Sequence, residues 1–202
     1  MNTTRLDCRC GAVALEVTGK HIVSVECHCT SCRTAAAQLE SLPGATALRE
    51  PNGSTRCVLH RKDRVRCLRG AEHLREHRLT PGASTRRVVA VCCNTPMFME
   101  FLRGHWLSLY GRRYPAESLP KLEARTMTRD INGGPPLPSD VPNGKTQPFF
   151  FMTRLLKAWA AMGFRVPPVT FVHGALEDGP SASSAGLQGP AGRAGASSRA
   201  LG

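Results

Sequence analysis

Apolar and polar residues alternate near the start of the chain, which is the pattern of a half-buried β-strand. Residues 6–18 show it first, with Val13, Leu15 and Val17 on one face. Further short strands are expected at residues 22–26, between residues 45 and 91, and in the segments MFMEFL and HWLSLYG. The RRVVAVCC segment reads as a buried strand that runs into two cysteines. The pattern therefore predicts a mostly antiparallel β domain.

Two segments have helical character instead. Residues 34–42, TAAAQLESL, are rich in alanine and leucine, and a helix there would end near Pro43-Gly44. Nearer the C-terminus, one apolar stripe at helical spacing is formed by Phe151, Leu155, Trp159 and Met162. We interpret this stripe as the cover of a sheet face or an oligomer contact.

Composition divides the chain into four parts. We expect a zinc-binding β domain over residues 1–125, a proline- and glycine-rich connector over 126–148, a helical segment over 149–173 and a disordered tail over 174–202. The predicted fold class is α+β and mostly β, a small antiparallel fold with a C-terminal helix. The oligomeric state cannot be read from the pattern.

The core has few large side chains available to it. Apolar residues make up 41 % of the 202 residues but aromatic residues only 5 %. Bound metal is a common substitute for burial in small domains. The N-terminal MNTTRLDCRCG has no signal-peptide pattern, and no apolar run is long enough to span a membrane. We therefore expect a cytoplasmic protein with reduced thiols and no membrane partner.

The positive charge is concentrated in one segment. The formal net charge is +12, and residues 56–87 hold ten basic side chains against three acidic ones. This balance favours an anionic partner, either a small carboxylate ligand or nucleic acid. The alternative is an ordinary solvated basic surface.

Seven of the nine cysteines fall into three tight groups: Cys8 and Cys10; Cys27, Cys29 and Cys32; and Cys92 and Cys93. Zinc takes about four soft ligands in a tetrahedron, with Zn–S near ~2.3 Å. The CxCxxC group can bind one ion by itself through Cys27, Cys29 and Cys32. Cys8 and Cys10 supply only two ligands and need a distant pair, for which Cys92 and Cys93 are available.

The number of cysteines in each group predicts that the chain binds one or two Zn2+ ions. One site would be closed by two cysteine pairs, and the other would have three thiolates and an open fourth position. Alternatively His28 or Cys67 closes the second site. In an extended segment, however, the ring of His28 points away from its neighbouring cysteines. Cys57 and Cys67 are interpreted as small buried hydrophobic residues.

The motifs CRCG (residues 8–11), CHCTSCR (27–33) and CNTP (93–96) resemble those of the glutathione-dependent formaldehyde-activating enzyme (GFA) and centromere protein V family. The resemblance covers about residues 5–112 and implies a β-rich fold with a structural zinc and a catalytic zinc. In this chain the late cysteine pair is adjacent, and Asn94 stands where the family has glycine. The chain thus looks like a divergent CCNTP-type branch.

The resemblance implies a carbon–sulfur lyase that acts on glutathione–aldehyde adducts, with Cys27, Cys29 and Cys32 at the catalytic zinc. Glutathione carries carboxylates that Arg33, Lys62 and Arg64 would attract, Arg33 being the residue next to the ligands. The first alternative is a zinc-stabilised binding module without turnover. The second is a nucleic-acid-associated protein, which the charge permits but no recognition motif supports.

Overall fold

The computed structural model describes residues 3–176, which form ten strands and two α-helices. The strands are β1 (Thr3–Asp7), β2 (Ala14–Thr18), β3 (Val23–Cys27), β4 (Thr55–Arg61), β5 (Val65–Arg69), β6 (Leu74–His77), β7 (Thr85–Ala90), β8 (Thr95–Phe101), β9 (Trp106–Tyr110) and β10 (Ala124–Thr126). The helices are α1 (Thr30–Glu40) and α2 (Phe149–Ala160). The described part of the chain is therefore mostly β, as the pattern predicts.

The strands form two sheets. A three-stranded sheet has the order β1-β2-β5, and a seven-stranded sheet has the order β10-β3-β4-β9-β8-β7-β6. Neighbouring strands are antiparallel throughout, except that β10 runs parallel to β3. The small antiparallel α+β fold with a C-terminal helix is thus confirmed.

Residues 6–18 do not form one strand, because the chain turns back within them. β1 ends at Asp7, β2 begins at Ala14, and the two pair in antiparallel register. Gly11 has φ +76°, a left-handed conformation that suits glycine, and its N–H donates to the Cys8 carbonyl at 3.0 Å. The CxC motif therefore lies in a tight turn rather than in extended chain.

The core lies on both faces of the seven-stranded sheet. On one face the smaller sheet contributes residues such as Leu6 and Leu15, which belong to the same buried cluster as Phe98 and Leu107. On the other face α1 and α2 bury Leu39 and Leu155 in a second cluster. The apolar stripe of α2 therefore covers a sheet face, which is one of the two roles expected for it.

The segments after β9 also pack on the sheets. The expected domain boundary at residue 125 falls inside β10, and the connector returns to it: Gly144 N–H donates to the Arg125 carbonyl at 2.8 Å. The expected tail begins with paired residues, since Ala175 bridges Glu76 of β6. Residues 177–202 of that tail lie outside the described residues. Among residues 3–176, no helix combines the length and apolar character that a membrane span requires.

Candidate metal centres

Four of the predicted ligands meet where two turns approach each other. Cys8 and Cys10 lie in the β1–β2 turn, and Cys92 and Cys93 lie in the β7–β8 turn. The packing of the two sheets brings these turns together, because Cys8 and Cys93 both belong to the buried cluster between them. A hydrogen bond from the Arg9 N–H to Thr95 Oγ1, at 3.2 Å, also joins the turns.

The sulfur positions of this four-cysteine cluster fit a tetrahedral metal site. Cys8 Sγ lies 3.6 Å from Cys10 Sγ and 3.7 Å from Cys92 Sγ. Cys10 Sγ lies 3.4 Å from Cys92 Sγ, and the Sγ atoms of Cys92 and Cys93 are 3.9 Å apart. Zn–S bonds of about 2.3 Å in a tetrahedron place sulfurs about 3.8 Å apart. The four thiols can therefore surround one ion.

Adjacent cysteines can reach one ion only if the chain turns between strands, and here it does. The residues from Val91 to Asn94 form the β7–β8 turn, and Asn94 has φ +49°. Asparagine is one of the few residues that adopts this left-handed conformation readily. The Asn94 side chain also donates from Nδ2 to the Pro43 carbonyl at 3.0 Å. Asn94 thus performs the conformational role that glycine would have.

Burial and neighbouring thiols set the ionisation of this cluster. Burial raises the pKa of Cys8, and burial together with hydrogen bonds to Cys10 and Cys8 raises the pKa of Cys92. Burial also opposes ionisation of Cys93, but a hydrogen bond with Thr95 and bonds from Cys10 hold its pKa at about 6. Four thiolates this close need a cation, so metal binding would displace protons.

The second cluster is local in sequence. Cys27 ends β3, Cys29 is the N-cap residue of α1, and Cys32 lies in the first turn of α1. Their three Sγ atoms lie within 4.8 Å of one another. The Cys32 N–H donates to Cys29 Sγ at 3.4 Å, and Ser31 Oγ is 3.3 Å from the same sulfur. This three-cysteine cluster therefore forms at a helix N-terminus, which favours anionic sulfur.

The three thiols share their protons unequally. Hydrogen bonds from Cys27 and Cys32 lower the pKa of Cys29 to about 2. The same bond with Cys29 raises the pKa of Cys27 to about 11. Hydrogen bonds with Cys27 and Cys29, together with burial, raise the pKa of Cys32 well above its usual range. Hydrogen bonds within the cluster therefore favour the thiolate at Cys29 and the thiol at Cys27 and Cys32.

Arg33 starts next to the three-cysteine cluster but is already engaged. Its guanidinium donates to the Asp130 carbonyl at 2.5 Å. The Asp130 carboxylate accepts a hydrogen bond from the Thr30 N–H at 3.1 Å, which caps α1. The segment around Asp130 therefore lies against the N-terminus of α1 and holds Arg33 beside the cluster.

Two other basic residues that were expected near the three-cysteine cluster lie elsewhere. Lys62 is buried and forms an ion pair with Glu100 at 2.6 Å. It follows β4 at the end opposite Thr55, which is the residue that pairs with Cys27. Arg64 lines a pocket with Ile22, at the opposite end of β3 from Cys27. Ile22 and Cys27 are five residue steps apart along extended chain, a distance of about 16 Å. The sequence could not show this, because it does not reveal which strand ends share an edge.

A buried arginine lies behind the three-cysteine cluster and was not foreseen. Arg87 is only 3 % exposed, and its guanidinium donates to the Ser31 carbonyl at 3.3 Å. Within residues 3–176 it has no carboxylate within 4.0 Å. Its charge acts on buried Cys57 and Tyr110, which pair across β4 and β9. Strand alternation could have indicated it, since one of the two adjacent arginines before VVAV must point inward.

Neither alternative fourth ligand joins the three-cysteine cluster. His28 is 1 % exposed, and burial lowers its pKa, but it lies outside the group of sulfurs. The Cys67 thiol is bonded instead to the Arg69 carbonyl at 3.1 Å. Cys57 is buried, as expected, whereas Cys67 is half-buried. Within the described residues, the three-cysteine cluster therefore has no fourth His, Cys, Asp or Glu ligand.

Comparison with known proteins places these clusters in a family. Residues 1–110 match DUF6151, described as a family of unknown function, over more than half of the 202 residues. The chain belongs to the DUF6151 family. The matched region contains all nine cysteines and therefore both clusters of the DUF6151 protein.

No curated protein matches the chain. A crystal structure of a Rhodobacter sphaeroides protein, a structural-genomics target, is similar at 17 % identity with a TM-score of 0.41, covering 58 % of this chain and 96 % of that one. A similarity of this size establishes neither a shared fold nor a shared function.

Proposed function

We propose that the protein is a zinc protein of the GFA type, with a structural site at the four-cysteine cluster and an open site at the three-cysteine cluster. The observation that supports this is the difference between the clusters: four Sγ atoms at tetrahedral spacing in one, and three without a fourth donor in the other. All the donors are sulfur, which favours zinc over magnesium or calcium.

The four-cysteine site has a structural role because it joins two sheets. Its ligands come from turns 82 residues apart in sequence, and Cys8 and Cys93 are buried. A closed site with four protein ligands leaves no position for substrate. Metal bound there would therefore stabilise the packing of the three-stranded sheet on the larger one.

The three-cysteine site is the proposed reaction site. Zinc bound there would supply a soft Lewis-acidic position that takes a thiolate in preference to water. Cys29 and Cys27 are half-buried, so a ligand can approach from solvent. Arg33 lies beside the cluster and Arg87 lies behind it, so both favour an anionic ligand.

Glutathione is the proposed thiol and a glutathione–aldehyde adduct the proposed substrate. In the cleavage direction the C–S bond of the adduct breaks and its electron pair stays on sulfur. The adduct hydroxyl loses its proton to solvent and becomes the carbonyl of the free aldehyde. The chain's contribution would be to hold the sulfur and to orient the glutathione carboxylates with Arg33.

The binding-module alternative has one specific observation in its favour. Arg33 and Asp130, the polar groups beside the three-cysteine cluster, already bond to protein atoms. Nucleic acid is the weaker alternative. Seven of the ten basic residues between 56 and 87 have a carboxylate within 4.0 Å: Arg56, Arg61, Lys62, Arg66, Arg69, Arg78 and Arg86.

Cobalt substitution tests the open site directly. We expect two metal ions per chain by elemental analysis, and a ligand-field spectrum that changes on adding glutathione. Arg33→Ala should weaken glutathione binding, whereas Arg103→Ala, which removes an exposed arginine in the β8–β9 turn, should not. Release of formaldehyde from its glutathione adduct then separates an enzyme from a binding module. A spectrum indifferent to glutathione would refute the open site.

A further inference from the structure

A cavity of about 960 Å³ lies at the end of the fold opposite the three-cysteine cluster. Its walls come from β1, the β2–β3 turn, β4 and the segment after β9, with Thr4, Lys20, His60, Tyr114 and Ser118 among the lining residues. Neither cysteine cluster contributes to it. Cavities of several hundred Å³ are the size that small organic ligands occupy.

The inner wall of this cavity carries buried polar groups without partners. His60 is 4 % exposed and Tyr114 is 9 % exposed. Among residues 3–176, nothing forms a hydrogen bond with either ring nitrogen of His60 or with the Tyr114 hydroxyl. A buried polar group without a hydrogen-bond partner destabilises the folded state, so such groups require an explanation.

The three aromatic side chains at this wall have a defined arrangement. The His60 ring is nearly parallel to the Tyr114 ring, at 6.4 Å and 20°, and lies 6.3 Å from the His21 ring. His21 is oriented by Glu123, whose carboxylate is 2.9 Å from Nε2. Burial lowers the pKa of His60 to about 3, so its imidazole is neutral. Neutral His60 offers one donor and one acceptor, and Tyr114 offers a hydroxyl.

The mouth of the cavity continues into a basic pocket. Lys20 and His21 line both spaces, and the second space, about 390 Å³, adds Arg61, Arg64, Arg154 and Lys157.

Only part of that charge is neutralised. Arg61 pairs with Asp63, and Arg154 pairs with Glu123. Within the described residues, Lys20, Arg64 and Lys157 have no carboxylate within 4.0 Å. The groove therefore has an excess of positive charge at one end, whereas the other end has uncharged hydrogen-bonding groups and a single carboxylate, that of Glu117.

We propose that this groove, formed by the cavity and the adjoining basic pocket, binds a small hydroxylated organic anion. The hydroxylated body would occupy the cavity and pair with His60 and Tyr114. The anionic group, phosphate or carboxylate, would bind Lys20, Arg64 and Lys157. The groove is separate from the three-cysteine cluster, because Ile22 in the groove and Cys27 in the cluster lie at opposite ends of β3.

Calorimetry with four small probes tests the proposal. Ribose 5-phosphate and gluconate each carry hydroxyls and one anionic group, and they distinguish phosphate from carboxylate. Ribose and inorganic phosphate represent the two halves. We expect at least one hydroxylated anion to bind tenfold more tightly than either half, and its affinity to fall with added salt. No binding by either anion would overturn the proposal, as would equal binding of inorganic phosphate, which would indicate an adventitious ion only.

Two variants assign the ends of the groove. Tyr114→Phe removes only the hydroxyl and should weaken binding of the hydroxylated anion about fivefold, while leaving inorganic phosphate unchanged. Lys157→Gln changes an exposed side chain of α2, so it should fold normally and weaken both. Lys145→Gln, in the connector and outside the groove, is the matched control. Equal affinity in wild type and Lys157→Gln would place the anion elsewhere and refute the site.

Discussion

The two cysteine clusters should differ in what they contribute to stability, and a pair of serine substitutions measures the difference. Cys10→Ser removes a ligand of the four-cysteine cluster from an exposed position, so it leaves no cavity in the core. Cys29→Ser removes a ligand of the three-cysteine cluster, and serine is itself a good N-cap for α1. Both substitutions replace only a sulfur ligand with oxygen, so loss of metal should account for most of the change in stability in each variant.

The chain-entropy relation for a cross-link sets the expected size. A link between Cys10 and Cys92 closes a loop of 83 residues, both cysteines included, for which the relation gives about 4.5 kcal/mol. The six residues from Cys27 to Cys32 give about 2.2 kcal/mol. At about 2–4 °C per kcal/mol for a chain of this length, Tm should fall by about 9–18 °C in Cys10→Ser and by about 4–9 °C in Cys29→Ser.

Thermal unfolding followed by circular dichroism, with metal content measured on the same samples, checks these values. Each variant should lose about one ion, and Cys67→Ser, which changes a cysteine outside both clusters, should lose none. If Cys29→Ser unfolds as readily as Cys10→Ser with the same metal loss, the assignment of the structural role to the four-cysteine cluster is refuted.

Three further outcomes follow from other parts of the fold. Asn94→Val should lower the free energy of unfolding by about 1–2 kcal/mol because Asn94 has φ +49°. Asn94→Gly should lower it less, and urea titration of both variants compares the two values. Ending the chain after residue 176 should leave Tm unchanged, but ending it after residue 168 should lower Tm, because Phe171 packs edge-on against Phe98 at 6.0 Å. Hydrogen bonds from Arg78 and Arg86 lower the pKa of Glu76 from 4.5. The ionised carboxylate therefore stabilises the fold at a pH above its unfolded-state pKa, and this contribution is lost as pH falls through its folded-state pKa. The free energy of unfolding should consequently depend less on pH in the acid range in Glu76→Gln than in the wild type.

The local features of the fold follow from the sequence, and the long-range ones do not. Short strand-like apolar runs locate β3, β7, β8 and β9, and the Ala/Leu-rich run locates α1. Alternation misled at residues 6–18, because Val13, Leu15 and Val17 share a face whether or not the preceding residues turn. Gly11 was the sequence signal for that turn, because glycine readily adopts left-handed backbone conformations that other residues avoid. In the structure its φ is +76°.

The candidate sites divide in the same way. Spacing groups Cys27, Cys29 and Cys32 correctly, because a local motif constrains its own geometry. The charge of residues 56–87 was less informative, since the carboxylates that neutralise it come from elsewhere in the chain, such as Glu16 and Glu100. The groove around His60 and Tyr114 could not be predicted, because 54 residues separate two side chains that only the tertiary fold brings together.

Charge balance connects each cluster to a nearby arginine, which is buried in the case of Arg87 and partly buried in the case of Arg113. Zinc with three thiolates carries one net negative charge and zinc with four carries two, and neither charge is stable in the interior without a partner. Arg87, without a carboxylate partner in the described chain, donates to the Ser31 carbonyl between Cys29 and Cys32 of the three-cysteine cluster. Arg113 lies close enough for its charge to act on Cys93 and Cys8, and burial lowers its pKa. Without metal, hydrogen bonds already favour a thiolate at Cys29 near Arg87 and at Cys93 near Arg113. Each arginine is therefore placed to balance a net negative charge at its cluster, both in the metal-free and in the metal-loaded state.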